Sequence, residues 1–330
     1  MNSYNDTANY NNRAFDFGFW SSAAPKIAVF GAIEDEKVLK TEYPYNGTYI
    51  DTIKKNFDPI DFAIIEEIGR SKYLTSLHIY QFVRLRGLAV SRGGVRNRIN
   101  KMLKLRLLIE YTLRPENLVH GIKAYGLDTK GKKIALDCKV LFNRGNMVLS
   151  EHQKEHFGRY DTAEDIKRIL VGNMIVLGLL MNGANLRRFG IMETMRVDQA
   201  LPITNKCIIR TASNVQLGDE SHLLYEVVRN TQASMESLAN KVDRYYQVVS
   251  SRQYKENNYY GYTSVPQLIL CGENYEHNLK IDKYLRDTGL YSEEDTLLYT
   301  EDLLYVQATL KNLYVLDENG NRAWYSIPAK

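Results

Sequence analysis

Ten basic residues stand between Ile68 and Ile109 with no aspartate or glutamate among them: Arg70, Lys72, Arg84, Arg86, Arg92, Arg96, Arg98, Lys101, Lys104 and Arg106. The chain carries a net charge of only +4, so everything outside this stretch, with 33 basic and 39 acidic residues, is mildly acidic. A solvated surface normally mixes both signs. A run of 42 positions without a carboxylate suits a polyanion, because a carboxylate facing phosphate is repelled. Winding the segment after Ser91 as a helix gathers Val95, Ile99, Met102 and Leu103 into a buried stripe about 100° wide. Asn97, Asn100, Lys101 and Lys104 then point the other way, with Arg96 and Arg98 on the flanks. Arg and Lys reach guanine and Asn reads adenine in the major groove. Arg84, Arg86, Arg92 and Lys123 are the candidates for phosphate contacts that hold the register. The partner expected is double-stranded DNA. Neutralising about four to six phosphates predicts a salt slope of about −4 to −5.

The elements that must present these side chains follow from capping and periodicity. Asp58 suits an N-cap, Pro59 the first helical position and Asp61 the first turn. Ile60, Ile64, Ile65 and Ile68 share one face, and Gly69 is read as the helix end. A second helix starts at Thr75 and stops near Gly87, with Ile79, Phe82 and Val83 inward. The third starts at Ser91. Two β-type runs, Leu107–Leu113 and Ile122–Leu127, enclose a turn around 114–121, and Asp128–Leu136 closes as a short helix. Three helices followed by a two-stranded ribbon predict a winged helix-turn-helix domain over residues 58–137. Residues 1–57 read as a polar tail and an arm or hairpin of unassigned role.

At 330 residues, and about 150 residues per domain, a second domain is expected. Residues 138–159 read as a polar linker. Over 160–305 comes a helix from Thr162 to Met181, then strand-like runs at Leu186–Val197, Cys207–Leu217 and Leu223–Val228. A helix at Thr231–Val249, a strand at Val265–Cys271, a helix at Tyr275–Thr288 and a strand at Thr296–Thr300 complete it. C-terminal strands occupy 306–330. The order αβββαβαβ describes a mixed sheet with helices on its faces, so the fold class is α/β (α+β).

That order resembles the restriction-endonuclease-like fold. Such nucleases place Asp on one strand and Glu-x-Lys on the next, so that carboxylates hold Mg²⁺ and the lysine polarises water. Here Glu226 is present but Val228 replaces the lysine. Thr211 stands where the aspartate belongs, and Arg229 follows the strand. Asp219 and Glu220 lie in the intervening turn. One strand carboxylate binds Mg²⁺ poorly. The expectation is a degenerate site at Thr211, Glu226 and Arg229, with no catalysis, metal or cofactor.

The N-terminal helices, the strand Leu223-Leu224-Tyr225-Glu226-Val227-Val228-Arg229, the Lys241–Tyr246 helix and the strand Val265-Pro266-Gln267-Leu268-Ile269-Leu270 together resemble replication-relaxation family proteins over about residues 58–300. The family's Pro-Asp-Ala on the central strand reads Arg210-Thr211-Ala212 here. The resemblance implies a protein of a plasmid or integrative element that assists replication, DNA relaxation or mobilisation. Its winged helix would bind an origin-like site, and a relaxase or replication initiator is a candidate partner. A transcription-control role fits the same residues.

Other patterns carry less. His152-Gln153-Lys154-Glu155-His156 matches an inverted zincin spacing, but its polar surroundings point to incidental surface histidines. No phosphate-binding glycine loop and no G-x-S-x-G elbow occur. The three cysteines are far apart, which excludes a disulfide framework and fits a reducing, cytoplasmic setting. No basic n-region precedes an apolar core at the N-terminus. The apolar run Ile169–Met181 is too short to span a bilayer and contains Asn173, so a core helix is expected. The 24 tyrosines read as packing rather than base-stacking groups, and a homodimer is a candidate assembly. Two rival functions remain open: a Mg²⁺-dependent nuclease using Glu226 with Asp219 or Glu220, and an adaptor whose basic face meets an acidic protein.

Overall fold

The computed structural model describes residues 30–41, 43–44, 47–115, 121–139, 161–196, 208–218, 221–250, 266–290, 297–302 and 313–326. By contacts the chain divides into a unit of residues 33–173 and a unit of residues 1–32 with 174–330. The predicted linker at 138–159 lies almost wholly outside the described residues.

In the first unit, β1 (Glu36–Thr41) and α1 (Ile50–Lys55) precede α2 (Pro59–Ser71), α3 (Ser76–Leu85) and α4 (Arg92–Lys104). The strands β2 (Leu108–Pro115) and β3 (Ile122–Leu127) and the helix α5 (Thr129–Asp137) follow. Each of α2 to α4 starts where a side chain takes up first-turn N–H groups. Asp58 accepts from Ile60 and Asp61, Thr75 from His78, and Ser91 from Gly94. Gly69 does not end α2. It is buried inside the helix, and the left-handed residue falls at Lys72, with φ +70°. A single glycine costs a helix only about 1 kcal/mol, less than the packing of Ile64, Ile65 and Ile68 returns.

The arm ahead of α1 has a defined place. β1 pairs antiparallel with β2, Val38 opposite Leu113, and β2 pairs with β3 to give the order β1-β2-β3. Leu74, between α2 and α3, forms an isolated bridge to Tyr125 of β3. Gly131 in α5 is required by a close approach, since a Cβ there would lie 2.1 Å from the Leu107 carbonyl oxygen.

The helix α6 (Ala163–Met181) is divided between the units at residue 173. In the first unit, Ile166, Ile169 and Leu170 are buried, and Asn173 Nδ2 donates to Ile169 O at 2.9 Å and Tyr73 O at 3.3 Å. Among the described residues no helix is long and apolar enough to cross a membrane.

The second unit is a seven-stranded mixed sheet. Its strands are β4 (Leu186–Ile191), β7 (Ser213–Leu217), β8 (Ser221–Val227), β9 (Gln267–Gly272), β10 (Leu298–Glu301), β11 (Leu313–Leu316) and β12 (Arg322–Tyr325), in the order β12-β11-β10-β9-β8-β7-β4. The central β8, β9 and β10 are parallel, joined through α7 (Gln232–Ser250) and α8 (Tyr275–Asp287). Both flanks are antiparallel. Leu224, Val228, Leu268, Leu270 and Tyr299 form one core with Leu238 and Val242 of α7 and Ile281 and Leu285 of α8.

The runs expected at 186–197 and 207–217 are each split. Met192 adopts φ +50°, and β5 (Thr194–Arg196) pairs with β6 (Ile208–Arg210) as a separate ribbon. Periodicity alone cannot place such a left-handed break.

Candidate nucleic-acid interface

The helix α4 divides into two faces. Val95, Ile99, Met102 and Leu103 are buried, while Arg92, Arg96, Asn97, Asn100, Lys101 and Lys104 are exposed. Ser91 starts the helix, and the left-handed Arg106 (φ +55°) turns the chain into β2. Arg92 lies over the Tyr80 ring at 5.8 Å. Among the described residues no carboxylate pairs with Arg96, Lys101 or Lys104.

The other predicted basic residues are engaged within the fold. Arg86, at the C-cap of α3, donates from Nε to Glu67 Oε1 at 2.7 Å and also pairs with Glu66. Arg98 donates from Nη2 to Asp58 Oδ2 at 2.6 Å and from Nη1 to Asp61 Oδ1 at 2.8 Å. Burial alone would raise the Asp58 carboxyl, but the Asp61 backbone N–H and the Arg98 guanidinium outweigh it and hold it below its ordinary value. Lys123 on β3 pairs with Glu110 of β2 at 2.8 Å, although its side chain is 55% exposed. Arg106 pairs with Asp128 and Lys72 with Asp161. Arg84 is half-buried on α3.

The acid-free run is therefore acid-free only in sequence. In space, α2 sets Asp58, Asp61, Glu66 and Glu67 against the arginines that face inward. The sequence reading missed this because the partners are 19 to 40 positions away. Among the described residues, Arg96, Lys101 and Lys104 on the exposed face of α4 have no carboxylate partner, and they stand beside the amides of Asn97 and Asn100 on one helix. Such a face is suited to phosphate oxygens and base edges.

The three positions of the expected degenerate nuclease site have separate partners. Thr211 is buried before β7 and donates to Ser213 O at 3.3 Å. Glu226 is buried on β8, and its Oε1 accepts from Lys241 Nζ of α7 at 2.6 Å. Arg229, 1% exposed just past β8, forms a two-bond pair with Asp302 just past β10, at 2.7 and 2.9 Å. Its Nη1 also donates to Phe30 O at 3.2 Å. Open α/β sheets bind ligands beyond the C-terminal ends of their strands. Here the protein's own groups meet at that position, where Glu273 Oε1, just past β9, accepts from the N–H groups of Ala32 and Asn230. His277 Nδ1 accepts from Glu273 N, and burial depresses the imidazole to about 4, so the ring is neutral.

Neither Lys241 nor Asp302 is legible as a partner in the sequence, 15 and 73 residues from Glu226 and Arg229. Asp219, Glu220, His152 and His156 lie outside the described residues. Among the described residues no three His, Cys, Asp or Glu side chains are grouped so that they could hold a metal ion.

No family model, no curated protein and no solved structure matches the chain.

Proposed function

We propose that this protein binds double-stranded DNA without catalysis, with residues 58–137 acting as a winged helix-turn-helix. The helices α2, α3 and α4 would supply the helical core and β2–β3 the wing, with Leu74 standing for the short first strand. The helix α4 enters the major groove, where Arg96, Asn97, Asn100, Lys101 and Lys104 meet base edges and phosphates. The observation that carries this reading is the outer face of α4, exposed and, among the described residues, without ion-pair partners at Arg96, Lys101 and Lys104, while the inward arginines are neutralised. The seven-stranded unit serves as a restriction-endonuclease-like scaffold that docks a second copy, a relaxase or a replication initiator. On the resemblance to replication-relaxation proteins, the activity would serve replication or mobilisation of a mobile element, and transcription control fits the same residues.

The test is fluorescence-anisotropy binding to mixed duplex DNA with Mg²⁺ present, followed by a gel of the same DNA. Wild type is compared with a Lys101→Glu, Lys104→Glu double variant. Binding lost in the variant, with the DNA intact, is the expected result. Absence of binding by wild type refutes it and favours a protein-binding adaptor.

A second reading is favoured by one contact, the Lys241 ammonium on the buried Glu226. A carboxylate beside a lysine is part of a Mg²⁺-dependent nuclease site. The described residues do not fit the metal, because they bring no cluster of ligating side chains there. Metal-dependent nicking that disappears in Glu226→Ala would establish this reading instead.

A further inference from the structure

The geometry points to Arg98 as the positioning residue that sets the rotation of α4 for groove recognition, rather than as a phosphate contact. This inference rests on the DNA-binding reading above. The four buried side chains of α4 are apolar, and apolar packing is non-directional. Close packing of these side chains limits the rotation of the helix, and a directional contact narrows it further. A rotation of about 20° moves groups at the surface of a helix of about 6 Å radius by about 2 Å. That exceeds the range of a good hydrogen bond to a base edge, which spans about 0.5 Å. A directional contact therefore bears on recognition by narrowing the angle.

Arg98 supplies it. Its two terminal nitrogens go to two different carboxylates, Asp58 and Asp61. Both carboxylates are anchored by their other oxygen to the first turn of α2. Asp58 Oδ1 accepts from the N–H groups of Ile60 and Asp61 at 2.9 and 3.0 Å, and Asp61 Oδ2 accepts from Asp58 N at 3.3 Å. The planar guanidinium thus spans a capping box that is itself rigid. Asp61 is 2% exposed, so water competes little for the pair. A phosphate approaching Arg98 would also meet the half-exposed Asp58 carboxylate. Two negative charges already balance the guanidinium, which leaves no charge for counterion release.

The experiment uses the full chain and a duplex selected by wild type from a random pool, beside a shuffled duplex of equal composition. Anisotropy gives both dissociation constants over a range of salt. Arg98→Gln is expected to lose about tenfold in preference for the selected duplex, while shuffled-duplex affinity and salt slope stay at wild-type values. Asp58→Asn with Asp61→Asn keeps Arg98 and the capping acceptors but removes the anions, and should show the same lost preference. This second variant guards against misfolding of the first around an unpaired Asp61. A slope flattened by about 0.9 in Arg98→Gln, with both duplexes weakened equally, would make Arg98 a phosphate contact and overturn the proposal. So would an unchanged preference with only a lower melting temperature, which marks a merely structural role. A wild-type chain that binds neither duplex overturns the DNA-binding reading itself, a distinct result that removes the proposal with it.

Discussion

Replacing Lys101 and Lys104 by alanine removes two of the three exposed cations of α4, with Arg96, that have no carboxylate partner among the described residues. The structure allows the consequence to be worked out. The phosphate contacts expected from sequence included Arg86 and Lys123, whose charges are balanced by Glu66 and Glu67 and by Glu110, and Arg98, expected on the flank of α4, is balanced by Asp58 and Asp61. Among the described residues, Arg96, Lys101 and Lys104 have no carboxylate partner. Three neutralised phosphates give a slope of log K against log salt of about −2.7, shallower than the −4 to −5 expected from the basic run. Between 50 and 200 mM salt the wild-type affinity should then fall about 40-fold. The alanine double variant retains one of the three cations, so its slope should be about −0.9 and its loss over the same range about 3.5-fold. Anisotropy titrations against one duplex at four or five salt concentrations measure both slopes. A wild-type slope near zero, or one that the double variant leaves unchanged, refutes a phosphate-anchored α4. A wild-type slope of about −5 or steeper would show that the internally paired arginines also reach the backbone.

Two further predictions concern stability. His78, His222 and His277 are depressed by burial to about 3, 3 and 4. Their unfolded values are about 6.5, so between these limits the unfolded chain binds protons that the native state refuses. Stability is therefore full above about pH 6.5 and falls as the pH drops toward 4. For His78 alone, going from pH 7.5 to 5 costs on the order of 2 kcal/mol. The urea midpoint at these two pH values measures the loss, and equal midpoints would contradict neutral burial. The second concerns the Arg229–Asp302 pair. Asp302→Ala leaves a guanidinium buried without its counter-charge and should cost about 3–5 kcal/mol, while Arg229→Met with Asp302→Leu should recover most of it. Denaturant unfolding gives both values, and a single-variant loss under about 1 kcal/mol would refute an interior ion pair.

The elements of the first unit are legible in sequence because their signals are local. Asp58, Thr75 and Ser91 cap α2, α3 and α4 as their residue types and spacing require. The stripe Val95, Ile99, Met102, Leu103 is the buried face of α4. Repeating apolar positions record which way a helix must face water, whatever it packs on. Local signals fail where a longer-range term outweighs them. Packing carries α2 through Gly69 to a turn at Lys72, and Met192, at φ +50°, breaks a run read as one strand.

Only the tertiary structure decides which charges meet. The ten cations of the basic run look equivalent along the chain, yet Arg86 and Arg98 face carboxylates of α2 while Lys101 and Lys104 face outward. The same holds for β1, whose partner strand lies some 70 residues on, for Lys241 on Glu226, and for Asp302 on Arg229. An apolar side chain needs only to be buried, and any interior serves. An ion pair needs one specific group at about 3 Å in a fixed orientation. Periodicity can therefore state that α4 has an inner and an outer face, but the carboxylates at the start of α2 determine how much of its charge is left for a partner.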